Sequence, residues 1–482
     1  MQFVARIRRR RVLGASILLS TALMAPATGL AGREWAPPAA PAQATSVPAC
    51  TATTPCVTVD ATHVLGPVDL VASGLLLGVD QSSDPALIDA LRPASWRLAG
   101  DPENFAVARG TGATVTEMLS DQWPYANGGP SAPKPWDDWS AYAQWVRQTV
   151  TAKIASGELP DYWEVQNEPD GMRGTQPLET TAQALYQYQV ASTVIRQVDP
   201  LAKIEGPSLL GYFDTPGQST VDMTTFLAYV NAHHLPLDAL SWHEVIGPTV
   251  EHDPNIVITH VRQARALLSQ YPAYANIPIF INEYEPRNSH LIPGWEIAWI
   301  NALESAGVAQ AVTACWKEPE TQGKVGSDCG GGGLDGMFQT DTGQPQALYW
   351  VHLAYAEMVG ERVQASSTDP NISAYATYNA VSGSIQVLIG RHASCTPLVH
   401  PECTQPASAT PGPEPVNLRV KLPWGWTAVE AFSQRIPNLR GPMSSPATVD
   451  NGLFLAPQIS IPVSGPVGVT DGDAYAFTLL GQ

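Results

Sequence analysis

Eight apolar, strand-sized runs recur along the first two-thirds of this 482-residue chain, each with polar or aromatic residues near its C-terminal end. They read GLLLGVD (74–80), SWRLAG (95–100), TVTEML (114–119), YWEVQNE (162–168), AKIEGP (202–207), ALSWHE (239–244), PIFINE (278–283) and AVTACW (311–316). Amphipathic, helix-sized text separates most of them, which is the signature of βα units around a parallel sheet. Eight such units predict a (β/α)8 TIM barrel, with the functional residues at the C-terminal ends of the strands.

The helical text can be checked by period. Trp139, Tyr142, Val146, Val150 and Ile154 step by three and four, so one apolar stripe lies on one face. Thr180 to Val198 behaves alike and stops before Pro200, and 256–268 and 295–303 read as further covering helices. The intervals from Glu168 to Pro207, His243, Glu283 and Trp316 are 39, 36, 40 and 33 residues. A barrel of ~250 residues allots roughly 31 per unit, so each interval holds one unit and a modest loop. From Asp80 to Arg97 is only 17 residues, which predicts a short first helix, and no helical stripe is evident between the second and third strands.

After about Arg362 the stripes give way to short alternating runs divided by Pro, Gly and Ser: 372–378, 384–390, 416–422, 427–432, 458–463 and 474–480. This predicts a C-terminal β-sandwich over 362–482, following a barrel over 74–361. Residues 57–73 carry a strand expected to join the sandwich. Residues 32–56 are a Pro/Ala-rich linker, and 1–31 read as a signal peptide with five arginines, an apolar run and small residues ending at Ala31. The arginine run also suits twin-arginine export, and a membrane anchor is the competing reading.

Removing those five arginines takes the formal charge from −18 to −23, which disfavours nucleic acid and anionic membranes as partners. Export predicts disulfides, and the six cysteines fall into three local couples: Cys50 with Cys56, Cys315 with Cys329, and Cys395 with Cys403. With no C-x-x-C and no histidine at ligand spacing, no metal and no cofactor are expected. Gly330 to Gly333 lacks the lysine of a phosphate loop, and His243-Glu244 has no histidine four positions on, so the zinc-protease motif fails.

Glu168 and Glu283 end the fourth and seventh strands, which face each other across the mouth of a closed eight-stranded barrel. Two carboxyls ~5–5.5 Å apart are what cleavage of a glycosidic bond with retention requires, one protonating the leaving oxygen and one attacking. Burial beside Glu283 would keep Glu168 protonated, while Glu283 needs its charge and hence a donor such as Arg97. Glu285 is a rival nucleophile by proximity, turned away if the strand continues. Arg97 has a structural ion pair, His243 a core histidine and Trp316 plain packing as their bland alternatives. Trp123, Tyr125 and Trp136 are candidates for an aromatic cleft rim.

Asn167-Glu168-Pro169, within WEVQNEPD, resembles the acid/base motif of the clan A glycoside hydrolases. INEYEPRNSHLIPGW resembles the nucleophile region of family 39, the β-xylosidases and α-L-iduronidases, where a Glu-x-acid-Pro run is followed by Gly-Trp. The resemblance implies Glu168 as acid/base, Asn167 as donor to the sugar 2-hydroxyl and Glu283 as nucleophile. It suggests His243 and Trp316 as subsite residues and an oligo- or polysaccharide partner; Arg97, Tyr284 and Trp295 are further candidates for substrate binding. Glu244-Val245 stands where many relatives place an aromatic after the histidine, Gln166 precedes Asn167, and RLAGD is not the usual second-strand wording. These departures bear on the substrate. A non-catalytic carbohydrate-binding protein on the same scaffold is the alternative reading.

Overall fold

The computed structural model describes residues 50–482 except 52, 79–83, 124–132, 171–179, 218, 247–252, 287–288, 315–331, 334–335, 340–341, 393–412, 440, 456–457 and 465–467. Strands β2 (Leu75–Leu76), β3 (Ser95–Leu98), β4 (Thr114–Met118), β5 (Tyr162–Glu164), β6 (Lys203–Leu209), β7 (Ala239–Glu244), β8 (Ile279–Tyr284) and β9 (Gln310–Thr313) form one parallel sheet in sequential order. The seam closes where Gly74 N donates to Ala311 O (3.1 Å) and Thr313 N to Gly74 O (3.3 Å). A Cβ on Gly74 would stand 2.2 Å from Ala311 O, so only glycine fits the seam. The expected (β/α)8 barrel is present.

Helices α1 (Pro85–Ala90), α2 (Pro102–Thr111), α3 (Trp139–Ser156), α4 (Thr181–Val198), α5 (Met223–Ala232), α6 (Ile256–Leu268), α7 (Pro293–Ala306) and α8 (Ala347–Ala356) are the α-helices among the described residues. The first is short, as the 17-residue interval requires. The second corrects the sequence reading, which found no helix there. It buries only Asn104, Phe105 and Ala108, too little to write a stripe, and its ends define it instead. Asp101 caps the N-terminus, Pro102 opens the first turn, and Gly112 closes in the left-handed region at φ 85°. In α3 the stripe holds at Tyr142, Val146 and Val150, but Ile154 is exposed and Lys153 is buried instead, reaching Glu117 at 3.3 Å. Among the described residues, no helix is long and apolar enough to cross a membrane.

Ahead of the barrel, β1 (Cys56–Pro67) leaves it and pairs antiparallel with β12 (Glu361–Ser367) and parallel with β15 (Val416–Lys421). With β13 (Ile372–Asn379), β14 (Ser384–Arg391), β16 (Ala428–Ile436), β17 (Ala447–Leu455), β18 (Gln458–Val463) and β19 (Ala474–Gly481) these make a nine-stranded sheet, ordered β17-β16-β19-β14-β13-β12-β1-β15-β18, while β10 (Gly332–Gly333) and β11 (Phe338–Gln339) pair with each other in a separate two-stranded sheet. Hydrogen bonding is continuous across all nine strands. One face encloses a core that includes Val57, Val363, Val387, Leu418 and Phe477. Alternate residues on the other face, Tyr375, Leu388 and Ala474, join the barrel's core. Gly294 of α7 sits where a Cβ would meet Arg391 O at 2.1 Å, so the helix and β14 approach to backbone distance. Cys50 and Cys56 are disulfide-bonded, while Cys315, Cys329, Cys395 and Cys403 lie outside the described residues.

Candidate active site

Arg97 of β3 is buried at the C-terminal end of the barrel and joins most of the polar groups there. Its Nε and Nη2 donate to the two Glu164 oxygens, each at 2.6 Å, in the bidentate geometry a guanidinium fits best. Nη1 donates to Glu283 Oε1 at 2.6 Å, and Nη2 also reaches Asn167 Oδ1 at 2.8 Å.

Glu283 reaches the interior through a ladder irregularity. The β8–β9 register passes from Ile281 opposite Ala311 to Tyr284 opposite Thr313, three steps against two, and β7–β8 shifts between Trp242 and His243. A bulge of this kind re-aims side chains. Asn282 and Glu283, consecutive in sequence, therefore both face the barrel interior: Asn282 Nδ2 donates to Glu205 Oε1 (2.7 Å), Glu164 Oε2 (3.0 Å) and Ser208 Oγ (3.1 Å).

Glu168 lies four residues beyond the last paired residue of β5, past the strand end expected for it. Its φ is +49°, an uncommon conformation for glutamate, and its N–H donates to Ser208 O at 2.9 Å. Its side chain is 26% exposed against 7% for Glu283, so one carboxyl faces the opening and the other is enclosed. His243 lies between them, with Nδ1 3.0 Å from Glu168 Oε1 and 3.7 Å from Glu283 Oε2. Its Nε2 is 3.2 Å from Ser208 Oγ. A Ser208 hydroxyl that accepts from Asn282 gives its own proton to Nε2, which assigns the ring proton to Nδ1, facing Glu168. One oxygen of each glutamate and a His243 nitrogen lie within 4.8 Å of one another. The three atoms would also suit a small cation, but the Arg97 guanidinium already places a positive charge on Glu283.

Burial pushes the Glu283 carboxyl above the ordinary glutamate value of 4.5. His243 and Arg97 pull it back, and Glu168 adds to the rise. Burial, reinforced by the Glu164 charge, pushes Glu205 up to about 8 despite the Asn282 donor. Asp170, two residues past Glu168, is pushed up to about 7 by burial with a contribution from Glu168, against a hydrogen bond from Leu210 N at 2.9 Å.

The structure thus brings together Glu168, Glu283, Arg97, Asn167 and His243. It places two other candidates elsewhere, which corrects the reading of them as substrate-binding. Tyr284 is fully buried on the opposite side of β8, its hydroxyl 2.7 Å from Glu296 Oε1 and 2.8 Å from Ala72 O. Trp295 is buried in the first turn of α7 against His392 of the sheet domain, ring centroids 5.2 Å apart. Regular strand alternation after Glu283 does turn the Tyr284 side chain away from the mouth. Trp316 and Tyr125 lie outside the described residues. Trp123 packs edge-on against Tyr142 and Trp145, and Trp136 packs against the same core. Glu285, at φ +78°, is fully buried and faces Glu296, which with burial drives its carboxyl well above the usual range. Glu244 is buried between Trp242 Nε1 (2.7 Å) and His260 Nδ1 (2.8 Å), so this departure from the family wording lies outside the cluster.

Sequence reasoning missed Glu164, Glu205, Ser208 and Asn282. Glu164 was open to discovery, since it shares period-two text with Gln166 and Glu168. Ser208 was not, because it follows the Gly206–Pro207 cis bond and takes φ +54° at a register shift.

The fold defines a class: a (β/α)8 barrel carrying a curled β-sheet domain, with paired carboxyls at the strand C-terminal ends. No family model matches the chain, and no curated protein matches its sequence. Among solved structures it is similar to N2152 from Neocallimastix frontalis at 20% identity and TM-score 0.68, over 89% of this chain and 100% of that one. It is similar to a monomeric β-xylosidase from Caulobacter crescentus CB15 at 14% identity and TM-score 0.61, over 88% and 99%. A glycoside hydrolase family 39 enzyme from Xanthomonas axonopodis pv. citri matches at 14% identity and TM-score 0.61, over 89% and 98%. The likeness is one of fold.

Proposed function

We propose that this chain is an exported retaining glycoside hydrolase that cleaves O-glycosidic bonds of a cell-wall or plant-type glycan, with Glu168 as acid/base and Glu283 as nucleophile. The observation that carries the reading is an oxygen of each carboxyl within 4.8 Å of the other. An inverting pair stands ~6.5–9.5 Å apart to admit a water, whereas a retaining pair is closer. The likeness in fold to a β-xylosidase supports a glycan substrate, and the basic, then apolar leader supports export.

Glu283, its charge held by Arg97, attacks the anomeric carbon while Glu168 gives its proton to the departing glycosidic oxygen. The product is a glycosyl ester on Glu283 and a released alcohol. Glycosylation removes the Glu283 charge, so Glu168 becomes the stronger acid and is left ionised. It then takes a proton from water, whose oxygen displaces Glu283 and restores both groups. His243 Nδ1–H steadies Glu168 through both steps, and Asn167, held by Arg97, is placed to donate to the 2-hydroxyl.

A panel of aryl glycosides tests this. E283Q is expected to lose turnover at least ~10³-fold on the cleaved substrate, the scale of removing a covalent nucleophile, with its melting curve retained. E168A should recover cleavage of an activated aryl glycoside with azide and yield a glycosyl azide of unchanged configuration. Near-wild-type rates for E283Q on every cleaved substrate would sink the assignment.

A further inference from the structure

A cavity of about 260 Å³ lies where the outer face of the sheet domain diverges from the end of α8, with Ala354, Glu357 and Met358 forming one wall. The register explains its shape. Gln386 of β14 pairs with Thr478 of β19, and Thr478 pairs with Phe432 of β16, forming one row across three strands. In the next row Ala476 pairs with Gln434, and Gln434 with Thr448 of β17. Ala476, flanked by longer side chains, leaves the floor of the hollow. The β16–β17 ladder shifts between Phe432 and Gln434, a bulge that re-aims the residues on either side. Phe432 stays 36% exposed.

The chemistry of this lining is specific. Among the described residues Glu357 is its one charged side chain and no lysine, arginine or histidine lines it, so a phosphate or carboxylate ligand has no counter-charge there. Glutamine amides and threonine hydroxyls both donate and accept, and they surround the exposed ring of Phe432. That combination matches a ring with many hydroxyls at its edge and C–H groups on its face. The volume is just below the ~300 Å³ at which pockets for drug-sized ligands begin, which suits one ring. We propose that this cavity binds a neutral sugar ring of a glycan chain, as a second carbohydrate site separate from the barrel mouth. It rests on the glycan reading above and adds a function to the sheet domain: holding polymer on the enzyme, which raises the local concentration of cleavable bonds.

Native gels containing soluble xylan or xyloglucan test it, with the full-length protein, F432A and Q434A run side by side. The wild type is expected to be retarded in at least one polymer, and F432A to lose about tenfold in apparent affinity, the scale of removing one aromatic anchor. Q434A should weaken retardation in the same gel, with both variants melting like the wild type and keeping their kcat/KM on a small aryl glycoside. Equal migration of wild type and both variants in every gel overturns the proposal. A failure of the glycosidase reading shows separately, as an absence of aryl-glycoside turnover by the wild type, and leaves the gel comparison valid.

Discussion

Replacing Glu205 by Gln should stabilise this protein, and by an amount that grows with pH. Glu205 is fully buried; its donors are Asn282 Nδ2 at 2.7 Å and Thr116 Oγ1 at 3.4 Å, and the nearby Arg97 guanidinium binds Glu164 and Glu283 directly. The folded state therefore holds the Glu205 carboxyl protonated up to about 8, against 4.5 for an ordinary glutamate. Below the lower value both folded and unfolded chains carry the proton, and the residue has no pH-dependent effect. Between the two values the unfolded chain releases its proton and the folded chain does not, so stability declines as pH rises, and the loss is complete above the folded value. At 1.36 kcal/mol per unit, the penalty approaches about 3–5 kcal/mol near pH 8. Gln carries no charge at any pH, can accept from Asn282 at Oε1 and can donate toward Thr116. Thermal unfolding of E205Q and wild type from about pH 4 to about pH 8 should show near-equal stability at the acid end and the full gain at the alkaline end, about 3–5 °C in melting temperature for a chain of this size. If E205Q is destabilised throughout, or its gain does not vary with pH, Glu205 is ionised in the folded protein and the reasoning fails.

The acid limb of kcat/KM should lie above the ordinary glutamate value of 4.5, because burial raises Glu283 and the nucleophile must be ionised; a pH–rate profile on an aryl glycoside reads this directly. R97K cannot keep the fork to Glu164 together with the contact to Glu283, so steady-state kinetics should show kcat/KM down ~10²-fold and the acid limb moved further up. G294A forces a methyl group toward Arg391 O, so calorimetry should show a lower melting temperature, reflecting ~1–3 kcal/mol lost to overpacking, while the aryl-glycoside rate of the folded fraction is unchanged.

The barrel was legible because each strand pairs apolar text with a polar end and each cover helix repeats an apolar stripe. Text of that kind failed where an element buries little. Helix α2 is defined by Asp101, Pro102 and Gly112 rather than by a stripe, and β12, which buries only Val363 fully, was not marked as a strand. The site was half legible. Glu168, Asn167 and Glu283 stand in recognisable motifs, but period-two alternation places Asn282 and Glu283 on opposite faces, and a local register shift brings both inside. The same alternation, obeyed one residue later, removes Tyr284 from the cleft. Arg97 was expected as a partner of one glutamate, while its bidentate grip on Glu164 needs a contact across 67 residues that no local pattern encodes.

Strand β1 is synthesised ahead of the barrel, yet both its ladder partners, β12 and β15, follow it by some three hundred residues or more. This strand must wait, unpaired, until β12 is made, and its other edge waits for β15. Such long-range pairing slows folding and leaves an apolar edge open to wrong partners. Segments some three hundred residues apart are thereby stitched into one fabric, so clipping β1 should unravel the distal sheet before it disturbs the cleft at the barrel mouth.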